Sequence, residues 1–166
     1  MDLLSIERIK TAHPSIRAKL LKDYTDANNK LGKGARLRLA YVYRSPQEQD
    51  LLYNRRPKIT NAKGWQSIHN YGFAFDIVLL YDNDGNGTFE EASYSQIKDF
   101  DKDGLADWKE VTDLLKSRGW ECGADWKKFK DAPHFQIPNA KNWREYKALI
   151  DAGKTITDNG IIYPKI

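Results

Sequence analysis

Two short stretches of this chain hold the side chains best suited to hydrolytic chemistry. The first is Ser67-Ile68-His69-Asn70-Tyr71-Gly72-Phe73-Ala74-Phe75-Asp76, a histidine with an aspartate seven residues on. The run that follows, Ile77-Val78-Leu79-Leu80, predicts a buried strand. A carboxylate entering such a strand is costly to bury unless something pairs with it. These ten residues alone leave two readings: a cation shared by His69 and Asp76, or a solvated loop histidine beside a strand-end aspartate. The second stretch, Asp131-Ala132-Pro133-His134, changes the balance. His134 also sits beside a strand, with an aspartate three residues before it. Two imidazoles and one carboxylate make a three-ligand zinc set with a fourth position open for water. Asp131 is near enough in sequence to sit beside that water without being a ligand. Zinc lowers the pKa of its water towards ~7, and a carboxylate then takes the proton. The chemistry expected is hydrolysis at a polarised carbonyl.

Several elements must bring these stretches together. Residues 3–31 read as helices, with Ile6, Ile9, Ile16, Leu20, Leu21 and Tyr24 at helical spacing. His13-Pro14 breaks them, and His13 reads as structural. Gly32-Lys33-Gly34 ends the second helix. Residues 36–43 alternate as a strand, with Leu37, Leu39, Tyr41 and Tyr43 on one face. Ser45-Pro46 with Glu48 predicts a capped helix running through Leu51, Leu52 and Tyr53. Arg44, where strand gives way to helix, stands at a common place for a substrate-binding side chain; a plain surface arginine is the other reading. Residues 54–66 read as a loop at the rim of the site. A helix is expected over 108–118, a loop over 123–130, a helix over 142–152 and an edge strand at 160–163.

The net charge of +4 hides a segregation. Residues 76–110 carry ten acids against three lysines, and the remainder 24 basic against 13 acidic residues. The basic remainder suits an anionic partner. No nucleic-acid-binding motif accompanies it, so specific nucleic-acid binding is not expected. Within the acidic block, Asp99, Asp101, Asp103, Gly104, Asp107 and Glu110 fit the twelve-residue calcium loop. The other reading is a solvated acidic turn before a helix. The similar start at Asp82 fails at its closing position, Ser93, and reads as a Gly/Asn turn. One cysteine, Cys122, excludes an internal disulfide and a cysteine-rich zinc site. No apolar run approaches the ~20 residues of a membrane span.

Ser67-x-His69-x-x-Gly72-x-Ala74-x-Asp76 with Asp131-x-x-His134 resembles peptidase family M15, the zinc DD-peptidase group. The similarity extends through Tyr43-Arg44-Ser45-x-x-Glu48-Gln49-x-x-Leu52-Tyr53, Asp101-x-Asp103-Gly104-x-Ala106-Asp107-Trp108, and Asp125-Trp126-Lys127-x-Phe129-Lys130-Asp131-x-Pro133-His134-Phe135. The subgroup it is most similar to is the L-alanyl-D-glutamate endopeptidases of phage endolysins and cell-wall hydrolases. The resemblance implies an α+β fold, a mostly antiparallel sheet with packed helices and zinc in a cleft. It implies His69, Asp76 and His134 as zinc ligands and Asp131 as general base. It implies Arg44 as a residue binding or polarising the substrate carbonyl, Ser67 as a contact beside the ligands, and Gln49, Tyr71 and Trp126 as pocket walls.

The expectation is one peptidase domain over 1–166, monomeric, with an acidic insertion at about 82–110. The expected partner is bacterial peptidoglycan. The 28 residues after Pro138 are too few for a wall-binding module, which fits a lysin of a phage infecting a Gram-negative host. The N-terminus shows no secretory signal, so synthesis in the host cytoplasm and release to the wall is expected. Two rivals remain: a D-Ala-D-Ala carboxypeptidase using the same metal site, and a calcium-regulated wall-binding module with an inactive zinc site.

Overall fold

The most apolar run of the chain becomes the central strand. In the computed structural model, which describes residues 1–166, helices α1 (Leu3–Ile9) and α2 (Pro14–Asn28) precede strand β1 (Ala35–Tyr41), helix α3 (Pro46–Asn54) and strand β2 (Ala74–Tyr81). Every residue of β2 is buried except Asp76, which is partly exposed. Strand β1 runs antiparallel along one edge, with Leu37 opposite Leu79 and Leu39 opposite Ile77. The other edge is shared. Strand β3 (Glu91–Ser93) pairs with the far end of β2. Helix α4 (Asp107–Ser117) and strand β4 (Glu121–Cys122) follow, and strand β5 (His134–Gln136) pairs with the near end of β2. β4 lies outside β5. The expected α+β architecture is therefore present, and all strand pairs are antiparallel.

Helix α1 packs on β1, and α2 packs against α4. Buried polar groups on α2 find partners, as they must when removed from water. The Tyr24 hydroxyl donates to the Leu37 carbonyl at 3.1 Å and accepts the Asp2 amide at 3.0 Å. The indole of Trp120 donates to Asp23 at 2.8 Å. Helix α3 starts as its sequence requires: Ser45 accepts the Glu48 amide, Glu48 reaches back to the Ser45 amide, and Pro46 takes the first turn.

The C-terminal region departs from expectation. Helix α5 (Trp143–Asp151) leads into a hairpin of β6 (Thr155–Asp158) and β7 (Ile161–Pro164), where a lone edge strand was expected. Asn159 and Gly160, both at positive φ, make its two-residue turn. The hairpin is tied to the α1–α2 junction. The Tyr163 hydroxyl donates to the Thr11 carbonyl at 2.9 Å, and His13 Nε2 donates to the Pro164 carbonyl at 3.0 Å. His13 also caps α2 and stacks on Phe73, which makes its role structural, as expected. The connection 82–99 pairs with β2 through Glu91–Ser93, and none of its residues lines the cleft.

Gly72 joins these parts to the site. It sits at φ +76°, and a Cβ there would meet the His13 amide nitrogen at 2.6 Å and the Tyr163 ring at 2.9 Å. Gly72→Ala is expected to lower stability by about 1–3 kcal/mol, from the left-handed backbone alone, with the clash added. Urea unfolding of the variant checks this, and an unchanged midpoint would refute the close packing.

Candidate active site

Antiparallel pairing sets Asp76 on β2 directly opposite His134 on β5. His69 arrives from a 3-10 turn, Ile68–Tyr71, whose N-cap is Ser67 and whose end is Gly72. Ser67 Oγ accepts the His69 amide at 3.3 Å. The result is a near-equilateral triangle of ligand-type atoms. His69 Nε2 lies 3.2 Å from Asp76 Oδ1 and 3.2 Å from His134 Nδ1, and His134 Nδ1 lies 3.3 Å from Asp76 Oδ1. Both histidines are buried.

The outer hydrogen bonds decide what points into the triangle. His69 Nδ1–H donates to the Val42 carbonyl at 2.8 Å, which leaves Nε2 as a lone pair facing inward. Gln136 gives its amide hydrogen to Glu121 at 3.1 Å and turns its carbonyl oxygen towards His134 Nε2 at 3.2 Å. His134 Nε2–H donates there, which leaves Nδ1 facing inward. Three lone pairs thus converge on one point. That arrangement is repulsive unless a cation, either a proton or a metal, sits among them. Burial opposes charge on Asp76, but the two imidazoles hold its carboxyl well below the usual carboxylate range. Burial opposes charge on His134 too, and Asp76 still raises it. Zinc ligands ~2.0–2.1 Å from a tetrahedral ion stand about 3.3 Å apart. The triangle therefore fits zinc in both size and donor type.

The remaining polar groups serve this centre. Arg44 is buried; its Nη2 donates to Asp76 Oδ2 at 3.2 Å, which leaves Oδ1 for the triangle. Its Nη1 donates to Gln49 Oε1 at 2.9 Å, and its guanidinium lies 4.4 Å from the Tyr41 ring centre. Asp131 opens into the same cleft from a tight turn in which the His134 amide donates to the Asp131 carbonyl at 3.1 Å. Partial burial, with the charge of Asp76 added, raises the Asp131 carboxyl above its usual range. Gly123 makes room for that turn, since a Cβ there would lie 2.4 Å from the Asp131 carbonyl oxygen.

The cleft has a volume of about 480 Å³ and holds Arg44, Ser67, His69, Asp76, Trp126, Asp131 and His134 in its lining. The Trp126 ring centre lies 5.1 Å from that of His134. Two expected wall residues are corrected. Gln49 is fully buried behind Arg44, where its amide also donates to the Ala62 carbonyl at 2.8 Å. Tyr71 is fully buried against Tyr146, and its hydroxyl donates to the Trp65 carbonyl at 2.7 Å. Neither lines the cleft. Sequence reasoning missed Gln136, Tyr41, Arg55 and Gly123. Gln136 had a signal: two residues after His134 on a strand, it shares that residue's face.

The acidic loop lies outside the cleft lining. Its five acids form two overlapping groups, Asp99–Asp101–Asp107 and Asp101–Asp103–Glu110, that share Asp101. Asp99 accepts the Gly104 amide at 3.0 Å, and Asp103 accepts the Leu105 amide at 2.7 Å. Asp107, read from sequence as a water-mediated ligand, is fully buried and accepts the Phe100 amide at 3.1 Å. Asp107 and Glu110 also occupy the first turn of α4, where carboxylates complement the helix dipole. Asp99 Oδ1 and Glu110 Oε2 are buried without a hydrogen-bond partner. At the upstream turn, Asp82 accepts the Asn86 and Gly87 amides at 3.1 and 2.9 Å.

Fold and centre together define a small α+β protein with a histidine–carboxylate metal-type site beside a free carboxylate. A family model described as D-alanyl-D-alanine carboxypeptidase, of the M15 peptidases, matches residues 60–137. The peptidoglycan L-alanyl-D-glutamate endopeptidase CwlK of Bacillus subtilis is 40% identical over 113 residues, covering 64% of this chain and 64% of that protein. The chain thus spans less than two thirds of that relative's length. The solved structure of the Serratia marcescens L-Ala D-Glu endopeptidase ChiX matches with a TM-score of 0.54, over 82% of this chain and 88% of that one, at 18% identity. That likeness shows a shared fold. Both sequence similarities are to M15-type peptidases, the family that the motifs resemble.

Gln136→Leu is expected to weaken zinc binding by about 10–100-fold, because it frees the His134 ring to turn and change tautomer. Competition with a chromophoric chelator measures this. Unchanged affinity would mean that Gln136 does not set the ring.

Proposed function

We propose that the protein is a zinc-dependent peptidoglycan endopeptidase that hydrolyses the L-Ala–D-Glu bond of the stem peptide. The observation that carries this is the triangle of inward lone pairs with Asp131 beside it in the same cleft. A centre built only to brace the fold gains nothing from a free carboxylate next to it. The similarity to CwlK supports the choice of bond.

His69, Asp76 and His134 would hold the zinc. When bound, it supplies a Lewis acid for the carbonyl and a water of lowered pKa. The protein's own residues do the rest. Asp131 takes the proton of the attacking water and returns it to the leaving amine. Arg44 holds Asp76 through Oδ2, and the carbonyl of Val42 and the amide of Gln136 hold the rings. Trp126 and Ser67 bound the space beside the reacting bond. The place of action in this reading is the cell wall, reached after release from the cytoplasm of a phage host.

Digestion of purified peptidoglycan tests the bond: new D-Glu amino termini are expected, whereas released D-Ala would establish the carboxypeptidase reading. Asp131→Asn is expected to lower the rate by about 10²–10⁴-fold, the usual worth of a positioned base, with zinc content unchanged. Lysis at the wild-type rate would remove Asp131 from its role. His69→Ala is expected to lose zinc and activity together, measured by metal analysis of the purified protein.

For the acidic loop we propose a hard divalent cation, calcium by its oxygen donors. The support is the pair of unpartnered buried oxygens on Asp99 and Glu110. Burial and the neighbouring acids also raise the carboxyls of Asp107 and Glu110. Calcium added to chelator-stripped protein is expected to raise the Tm, and Glu110→Gln to abolish the rise. No shift at millimolar calcium would leave the loop as a helix-capping turn.

A further inference from the structure

Two arginines line the cleft, and the protein itself uses only one of them. Arg44 is committed to Asp76 and Gln49. Arg55 is exposed at the cleft wall, and none of the protein's ion pairs or side-chain hydrogen bonds includes its guanidinium. Elsewhere the basic side chains are often paired, as in Lys22–Asp26, Lys109–Asp113 and Lys147–Asp151 on the helix faces. The wall that carries Arg55 is well anchored. Its backbone amide closes α3 on the Leu52 carbonyl at 3.2 Å. Arg56 donates to the carbonyls of Asn54 and Arg55 at 3.1 and 2.9 Å. The rim beyond it is held by Gln49 on the Ala62 carbonyl and by Asp50 on the Gly64 amide at 2.8 Å each. An unpaired guanidinium carried on an anchored wall of a cleft can receive a carboxylate, which its planar fork binds through two parallel hydrogen bonds.

The substrate of the proposed reaction supplies such a group. A glutamate has two carboxyls, and at most one continues the peptide. The residue on the amine side of the cut bond therefore presents a carboxylate close to the reacting nitrogen. We propose that Arg55 binds this free carboxylate and makes the cleft selective for the acid over its amide. This rests on the L-Ala–D-Glu reading.

Two stem peptides, one with the free carboxylate and one with the carboxamide, test both statements. Each is prepared in a cleavable form and in a form N-methylated at the scissile amide. Equilibrium binding of the uncleavable pair to the zinc protein is expected to favour the acid by about 10–100-fold, the worth of a charge-assisted pair. Arg55→Gln is expected to erase that preference by weakening the acid alone, and Arg55→Lys to keep part of it. The same pattern is expected in kcat/KM for the cleavable pair. Equal binding of acid and amide by the wild type, or a preference that survives Arg55→Gln, overturns the role of Arg55 even if cleavage proceeds. Selective binding through Arg55 without cleavage would leave the carboxylate site standing and overturn the proposed reaction instead.

Discussion

The structure depends on holding three lone pairs at one point. His69 Nε2, His134 Nδ1 and Asp76 Oδ1 come within 3.2–3.3 Å of each other. Left to themselves, these groups would turn apart or take up protons. They stay because each is held from behind, by the Val42 carbonyl, by Gln136 and by Arg44. Folding thus holds together a centre preorganised for a cation, and binding one would add to the stability of the fold.

That requirement explains the choice of backbone. Strand β2 carries Asp76 as its only partly exposed residue, at the end where β5 pairs. Antiparallel pairing fixes Asp76 against His134 without any loop freedom, and one residue of slip would turn His134 to the other face. The catalytic candidate Asp131 then needs only a tight turn before β5. Gly123 and Gly72 appear where backbone approaches too closely for a side chain: one under the Asp131 turn, the other where the His69 turn meets the α1–α2 junction.

Charge is divided along the same lines. The acidic loop sits at the start of α4, outside the cleft, where its carboxylates crowd each other and complement a helix end. The 54–66 rim carries four basic residues and no acid. A wall with this charge beside a histidine–carboxylate centre complements an anionic partner rather than a cationic one.

Much of this was legible in the residues themselves. Local signals sufficed for the helices: the Ser45–Glu48 capping box, the His13-Pro14 break and the glycine after α4 act within one or two turns of chain. The apolar run after Asp76 marked the central strand for the same reason. The types and spacing of His69, Asp76, Asp131 and His134 pointed to metal-assisted hydrolysis, and the fold brings all four into one cleft. What sequence alone could not supply was which atom faces which. Gln49 and Tyr71 read as walls but are buried, since that depends on where α3 and α5 pack. Gln136 shares a strand face with His134, but its orientation comes from Glu121 on the neighbouring strand, and the need for glycine at 123 and the place of Arg55 at the cleft appear only in the folded chain. The hairpin at the C-terminus likewise needed the α1–α2 junction to dock on. The chain by itself determined the chemistry available, through residue type. Tertiary structure decided its geometry, because lone-pair direction, tautomer and pairing are set by contacts between residues that local sequence does not join.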